Sequence, residues 1–414
     1  MRTRFGMVLT LLLALTCPLR AQAPASYTLD QAVALAQEQS PQVRAAREAL
    51  RAAEAQLAAA RAALQPSVGV SVLGNLGPSG GTAQVNLGVS YLLYDGGLRQ
   101  AQIRQLEARV QSARENLAAL QAQVALGAVQ AYMNAVLADQ VVVLRQQVVA
   151  QARTQLEGAQ ARVRAGTAPQ ADVVSAQAQL ASAEVSLLEA QANAQTSRAQ
   201  LASLLGLDPA APIAVAAPGV PPAFELSEEE VRARALQRPE VRRAQAEVAA
   251  AEAALVVAQL QGGTTVSLDG RYGLVTVGTP GGAGTWSIGA SVSVPLYDGG
   301  QRLAAVEAAR ANLEAARATL EQARLEAQRE AVQAWLAWQS ALAREAAARR
   351  AQEAAQEALR VAEGRYAAGV GSILEVAQAR AQLASVQESL AQAQATQWTA
   401  LAALRRAVGL RVLP

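Results

Sequence analysis

Tyr94-Asp95-Gly96-Gly97 occurs twice in this chain, the second time as Tyr297-Asp298-Gly299-Gly300. The copies lie 203 residues apart (298 − 95), and the same offset relates Arg162–Gly166 to Arg365–Gly369. Each Tyr-Asp-Gly-Gly turn stands where an alternating, strand-like pattern ends and a helical pattern of about seventy residues begins. The chain is therefore expected to contain two strand-to-long-helix repeats in tandem.

A strand hairpin is predicted before each turn, at about 66–94 and 264–297. In the first, Val68, Val70 and Val72 alternate with small or polar residues, which gives the hairpin one apolar face. The strands have the ~9–11 residues that a tilted outer-membrane strand needs. No amphipathic helix is free to cover the apolar faces, so membrane strands are favoured over the alternative of a soluble sheet with one wet face.

A long helix is predicted after each turn, at about 98–165 and 301–368. In the first, apolar residues from Ile103 to Val124 fall at alternating spacings of three and four, as in a coiled coil. A helix of this length measures ~100 Å, so it must pack along neighbours in a tube or a rod. Gly166 and Gly369 are expected to cap these helices and reverse the chain into a return helix.

Two capping boxes, Thr28–Gln31 and Ser227–Glu230, predict a short helix at the start of each repeat. The predicted domains are a signal peptide at 1–23, a first structural repeat at 24–205, a Pro- and Ala-rich linker at 206–226, a second structural repeat at 227–410 and a tail at 411–414.

The first residues are typical of a secretion signal, with Arg2 and Arg4 before an apolar run. Cys17 is the only cysteine and lies inside this signal, so no disulfide is expected; a lipidated Cys17 is the alternative. Without the three arginines up to Arg20, 33 of the 36 basic residues face 33 acidic ones, and no nucleic-acid partner is expected. No later apolar run approaches the ~20 residues of a spanning helix, which leaves strands for membrane insertion.

Catalysis is not expected. The chain has no histidine, which excludes His-based triads, and a mature chain without cysteine lacks thiol nucleophiles and His/Cys metal sites. The acids are spread along helix faces among arginines, where solvated ion pairs are the expected role. The sequence therefore predicts no enzyme, no cofactor and no metal.

Four strands cannot close a membrane barrel, because the smallest such barrels use eight and an open edge in lipid leaves backbone groups unpaired. The chain is therefore expected to oligomerise, so that several copies complete one ring. The alternative is an exported coiled-coil envelope tether without a pore, which accounts for the helices but not for the strands.

The whole mature sequence resembles the TolC family of bacterial outer-membrane efflux and secretion channels. The shared motifs are Ser40-Pro41 and Arg238-Pro239, the paired Tyr-Asp-Gly-Gly turns, and the paired Arg-x-x-x-Gly reversals followed by Asp172-Val173 and Glu375-Val376. The resemblance implies a mainly α fold with a membrane β-barrel contribution. It predicts a homotrimer whose strands close one twelve-stranded barrel in outer-membrane lipid, above a long periplasmic tunnel of helices.

The resemblance also implies partners and an entrance. The channel would receive substrates from an inner-membrane transporter through a periplasmic adaptor, while the substrate and the choice between efflux and type I secretion stay open. Counting from the reversal glycine places the two positions of the entrance constriction at Glu375 and Gln378, of which only the first is acidic. The gate-bridging tyrosine and its acidic partner fall at Tyr366 and Asp172, whereas the position of a reinforcing arginine is Gly371.

The two ends of each repeat have expected roles as well. The reversals at Gly166 and Gly369 are the expected adaptor-docking turns, because they lie farthest from the strands and the family docks there. The glycine-rich hairpin tips at 75–82 and 277–284 are expected to face the cell exterior.

Overall fold

A computed structural model describes residues 25–77, 80–277, 283–368 and 370–413. The predicted signal peptide with Cys17, part of each hairpin tip, and Gly369 lie outside these described residues. The described chain is mostly helical, and the same order of elements appears twice along it.

The helices begin where the sequence supplies caps. Thr28 Oγ1 accepts a hydrogen bond from the Gln31 backbone N–H while the Gln31 side chain accepts one from the Thr28 N–H, and Ser227 and Glu230 repeat this arrangement. Both predicted capping boxes are therefore confirmed. In the described residues the helices are α1 Leu29–Gln39, α2 Pro41–Ala62, α3 Leu98–Arg164, α4 Gln170–Leu204, α5 Glu228–Ala235, α6 Pro239–Leu260, α7 Gln301–Ala367 and α8 Ile373–Ala407.

The long strands form one antiparallel sheet, in the order β2, β3, β5, β6. Its register places Val70, Leu87, Tyr272 and Trp286 side by side across all four strands. The strands are β2 Ser67–Gly77, β3 Gly80–Tyr94, β5 Thr265–Val277 and β6 Ala283–Ser293, and the short strands β1 Ala25–Tyr27 and β4 Ile213–Val215 pair in parallel elsewhere.

The helices lie beside one another in two tiers. Near the sheet, α3 packs against α2 on one side and α6 on the other, and α6 packs against α7. Farther from the sheet, α3 packs against α4 and α8, and α8 packs against α7. The order is therefore α2, α3, α6, α7 in the first tier and α4, α3, α8, α7 in the second, so that α7 forms one flank of the chain along its whole length.

The core lies where the two tiers meet. Val129 and Tyr132 of α3 and Leu201 of α4 are fully buried there, and Trp398 of α8 is 9% exposed. The linker runs across this level as an extended strap, and the Trp398 indole N–H donates to the carbonyl of Gly219 in the strap (2.9 Å). We call this buried layer of Val129, Tyr132, Leu201 and Trp398, together with the linker that crosses it, the girdle. The girdle joins the two repeats, whereas the helix pairs beyond it have smaller contacts.

The expectation that no apolar run suits a spanning helix needs a correction. Helix α3 has an 18-residue window with a mean hydropathy of 1.2, and 39% of that window is buried. The core explains this composition, because α3 crosses the girdle and is covered there by helices from both repeats.

Candidate channel and its entrance

The first strand-to-helix turn is held by Asp95. Its carboxylate accepts hydrogen bonds from the backbone N–H groups of Gly97 and Arg99, both at 3.0 Å. The Arg99 guanidinium donates to Asp95 Oδ2 (2.7 Å) and to the carbonyl of Leu92 (2.6 Å), where the pairing of β3 with β5 changes register. Gly96 and Gly97 have φ angles of 66° and 89°, which favour glycine. The turn thus fixes the direction in which α3 leaves the sheet.

The second turn has the same backbone and weaker side-chain support. Asp298 accepts from the backbone N–H groups of Gly300 (2.9 Å) and Arg302 (3.0 Å), and Gly299 and Gly300 have φ angles of 67° and 87°. The Arg302 guanidinium donates to the carbonyl of Gln259 and leaves Asp298 exposed to solvent.

The sheet beyond these turns has two unlike faces. The apolar row of Val70, Leu87, Tyr272 and Trp286 is 41–75% exposed, and no described element covers it. The neighbouring row on the opposite face is Ser71, Asn86, Gly273 and Thr285. One face therefore suits lipid and the other suits water.

At the far end of the first repeat, Gly166 ends α3. Its φ is 73°, its N–H donates to the carbonyl of Val163 (3.0 Å), and the Thr167 N–H donates to the carbonyl of Arg162 (2.9 Å). This is a left-handed helix cap, and it leads within four residues into α4. The corresponding Gly369 lies outside the described residues.

Glu375 lies in the first turn of α8, at the reversal of the second repeat. Its backbone N–H donates to Ser372 Oγ (3.2 Å), so Ser372 caps the helix. Its carboxylate lies 3.7 Å from Arg365 Nη1, and both side chains are about half exposed. Gln378 lies one turn further along α8 and is exposed.

Gly371, the position expected for a reinforcing arginine, has little room for a side chain. A Cβ at Gly371 would stand 3.0 Å from both Arg365 Cβ and the Tyr366 backbone nitrogen, so a side chain there requires the turn to shift. The cation beside Glu375 is Arg365, in the last turn of α7, and the sequence analysis did not identify it. Tyr366 and Asp172 are both exposed, and no hydrogen bond joins them within the described residues.

Sequence reasoning missed one ion-pair cluster and one ion pair between the repeats. Arg238, with a side chain only 3% exposed, donates to Glu240 and Glu330 at 2.7–3.3 Å, and its charge holds the pKa of Glu240 low although burial alone would raise that pKa. Arg145 of α3 pairs with Glu388 of α8 at 2.8 Å and is, in the described chain, the one ion pair joining the repeats beyond the girdle. Glu240 is a local signal for the contact of Arg238, whereas Arg145 has no acidic residue within five positions along the sequence.

A long helical bundle attached to a sheet with one apolar and one polar face defines a membrane-inserted envelope protein. Comparison with known proteins supports this class. The outer-membrane channel OprN is 25% identical, with a TM-score of 0.78 over 93% of this chain and 91% of that one. The Campylobacter jejuni outer-membrane channel CmeC is 19% identical, with a TM-score of 0.80 over 92% and 85%, and this likeness concerns the fold.

A family model described as outer membrane efflux protein matches residues 32–207 and 232–410, and the chain belongs to this family. The predicted resemblance is thereby confirmed, as is a location in the bacterial outer membrane with the helical bundle in the periplasm. Family members and structural neighbours are channels and not enzymes. Nodulation protein T of Rhizobium leguminosarum bv. viciae is 29% identical over 159 residues, which are 38% of this chain and about a third (33%) of that relative.

Proposed function

We propose that this protein is the outer-membrane channel of a tripartite efflux or type I secretion system, which passes substrates from an inner-membrane pump and a periplasmic adaptor to the cell exterior. The observation that carries the proposal is the uncovered apolar face that runs in register across all four long strands. In a soluble tether this apolar face would be exposed to water, which is unfavourable.

Closure of the sheet requires other copies of the chain. Strands β2 and β6 are the two edges of the sheet, and each has one side without a strand partner in the described chain. Backbone groups left unpaired in lipid each cost several kcal/mol, about the cost of a lost hydrogen bond in an apolar medium. A homotrimer in which β6 of one copy pairs with β2 of the next makes one closed ring of twelve strands.

The flanks of the helical bundle support the same ring. Helix α4 and helix α7 lie on opposite sides of the second tier, and both present apolar side chains to solvent. Placing α7 of one copy against α4 of the next covers exposed apolar residues of both helices. Among them are Val174, Val185 and Leu188 on α4 and Leu336 and Val361 on α7.

This arrangement also assigns the entrance. Tyr366 lies in the last turn of α7 and Asp172 in the first turn of α4, so in this ring the two residues meet across the boundary between neighbouring chains. Glu375 then belongs to a ring of three carboxylates at the periplasmic end, with Gln378 one turn above it. The reversal at Gly166 forms the docking surface for the adaptor, together with the second reversal predicted at Gly369.

The test is electrical and uses the purified full-length protein. Planar bilayers containing it should show stepwise conductance, and unheated gel samples should contain a trimer band that disappears on boiling. A tether gives neither result, and trimers without conductance would exclude a channel. Crosslinking in cells followed by capture of the protein should then recover the adaptor.

A further inference from the structure

The polar face of the sheet carries charge at one place within the described strands. Asp269 and Arg271 lie two residues apart on β5 and therefore share this face. The other residues of the face are mostly Ser, Gly and Asn, and no other charged residue occurs on any of the four strands.

Arg271 has the longest side chain among the four residues that lie side by side at its level of the sheet. The register aligns it with Gly69, Gly88 and Ser287. A Cβ at Gly69 would meet nothing within 4 Å, and one at Gly88 only a backbone oxygen at 3.9 Å, so close packing does not require these glycines. Their effect is to leave nothing beside Arg271 that could screen its guanidinium.

In the adjacent row on the same face, a side chain fills the space beside the glycine. There a Cβ at Gly273 would stand 2.8 Å from Asn86 Oδ1, so the asparagine already occupies the space above that glycine. No side chain occupies the corresponding space above Gly69 and Gly88 beside Arg271. Arg271 is exposed, and within the described residues no ion pair joins it to Asp269 or to any other acid.

Asp269 is held closer to the sheet than Arg271. Ser267 Oγ donates to Asp269 Oδ2 (3.2 Å), and Asp269 is half-buried. Its carboxylate is also nearer to its own backbone, because the side chain of aspartate is shorter than that of arginine by several bonds. Of the two charges, the guanidinium reaches farther from the sheet.

We propose that Arg271 determines selectivity at the outer-membrane end of the channel and favours the passage of inorganic anions and solutes that carry carboxylates. This inference rests on the proposed function, because only a closed ring turns the polar face inward. In a trimer, three guanidinium groups then face one another at one level, with three carboxylates about 7 Å away along the strands. Arginine keeps its charge at every physiological pH, and rings of charged side chains set the ion preference of a pore.

The experiment measures the permeability ratio of chloride to potassium in planar bilayers across a potassium chloride gradient. Arg271→Gln should lower this ratio, and Arg271→Lys, which keeps the charge, should leave it near the wild-type value. Glu375→Gln removes a negative charge from the opposite end and should raise the ratio, so the two neutral variants shift it in opposite directions. A wild-type ratio in an Arg271→Gln channel of normal conductance overturns the inference.

The direction of the side chain is tested separately, in a Cys17→Ser background. A charged thiol reagent should change the current through the Arg271→Cys channel and leave the Gly270→Cys channel unaffected, because residue 270 lies on the apolar face. Reaction at residue 270 but not at residue 271 would reverse the faces and overturn the inference. Absence of any wild-type conductance would refute the proposed function, and with it the reason for a pore-facing Arg271.

Discussion

The two strand-to-helix aspartates make a natural comparison at the scale of single residues. Asp95 is 8% exposed and receives a charged hydrogen bond from Arg99, whereas Asp298 is exposed and receives backbone hydrogen bonds only. Asp95→Asn should therefore lower the free energy of unfolding by about 1–3 kcal/mol, and Asp298→Asn should lower it less. Thermal unfolding of the detergent-solubilised protein, followed by circular dichroism, measures both. Equal losses would mean that burial of this turn is unimportant.

Asp95 also predicts how the stability of the protein depends on pH. Burial raises the pKa of Asp95, but the hydrogen bonds from Arg99 and Gly97 outweigh it, so the folded-state pKa is lower than that of the unfolded chain. The resulting stability is present above the unfolded pKa, which is about 4, and is lost as the pH falls through the folded value. Wild-type protein should thus lose stability on acidification below about pH 4 more steeply than Asp95→Asn. Parallel curves for the two proteins would contradict this.

Glu375 predicts the ion preference of the periplasmic entrance. Its carboxylate is half exposed and only loosely paired with Arg365, so a ring of three should draw cations toward the pore. Glu375→Gln should lower the cation preference measured from the reversal potential in a salt gradient.

Glu363→Gln is the matched control for this variant. Glu363 lies near the same end, but Arg380 neutralises it at 2.7 Å, so its loss should change the reversal potential little. An unchanged potential in Glu375→Gln would mean that Glu375 serves the helix terminus alone.

At the scale of elements, the reversal between α3 and α4 depends on the left-handed backbone of Gly166. A Cβ there meets no neighbour within 4 Å, so the cost of Gly166→Val is backbone strain, about 1–2 kcal/mol confined to the tip. Export of a fluorescent substrate from cells should fall while trimers remain in the membrane.

Gly158→Val separates the turn from the helix. Gly158 also has open space around it but keeps an ordinary helical φ, so its substitution should leave export intact. Normal export by Gly166→Val would show that this turn is not the docking surface.

The elements differ in how far the sequence could predict them. Alternation and capping are local, so the hairpin in β2 and β3 and the capping box at Thr28 were accessible from short windows of sequence. The pairing of β1 with β4 was not, because each is three residues long and has no period to detect. For the same reason the last residues were expected to be a tail, whereas Val412 is buried in the core of the first repeat. The role of Glu375 stays a prediction from the family resemblance, and its contact with Arg365 was not predicted because the two residues lie on different helices.

At the scale of the whole molecule, the two faces of the sheet predict how the trimer tolerates charge. Val70 and Ser71 are neighbours on β2, both exposed and on opposite faces. Val70→Arg places a charge in lipid, which costs up to about 2–4 kcal/mol at the bilayer midplane. The heat-sensitive trimer band of membrane extracts should therefore weaken for Val70→Arg and persist for Ser71→Arg. The reverse order would mean that the apolar face is not the outer face.

Tyr132 connects the first strand of the chain to the linker that follows the first repeat. Its hydroxyl lies 2.8 Å from the carbonyls of both Tyr27 in β1 and Ala216 beyond β4, and it accepts from the Ala216 N–H at 3.1 Å. Ala25 pairs with Ile213, so strand β1 is made about 190 residues before its partner. Because the chain is made from its N-terminus, β1 must wait until the entire first repeat has appeared before this clasp can close. The core around this clasp is complete only when Trp398 and Val412, near the end of the chain, have been added to it.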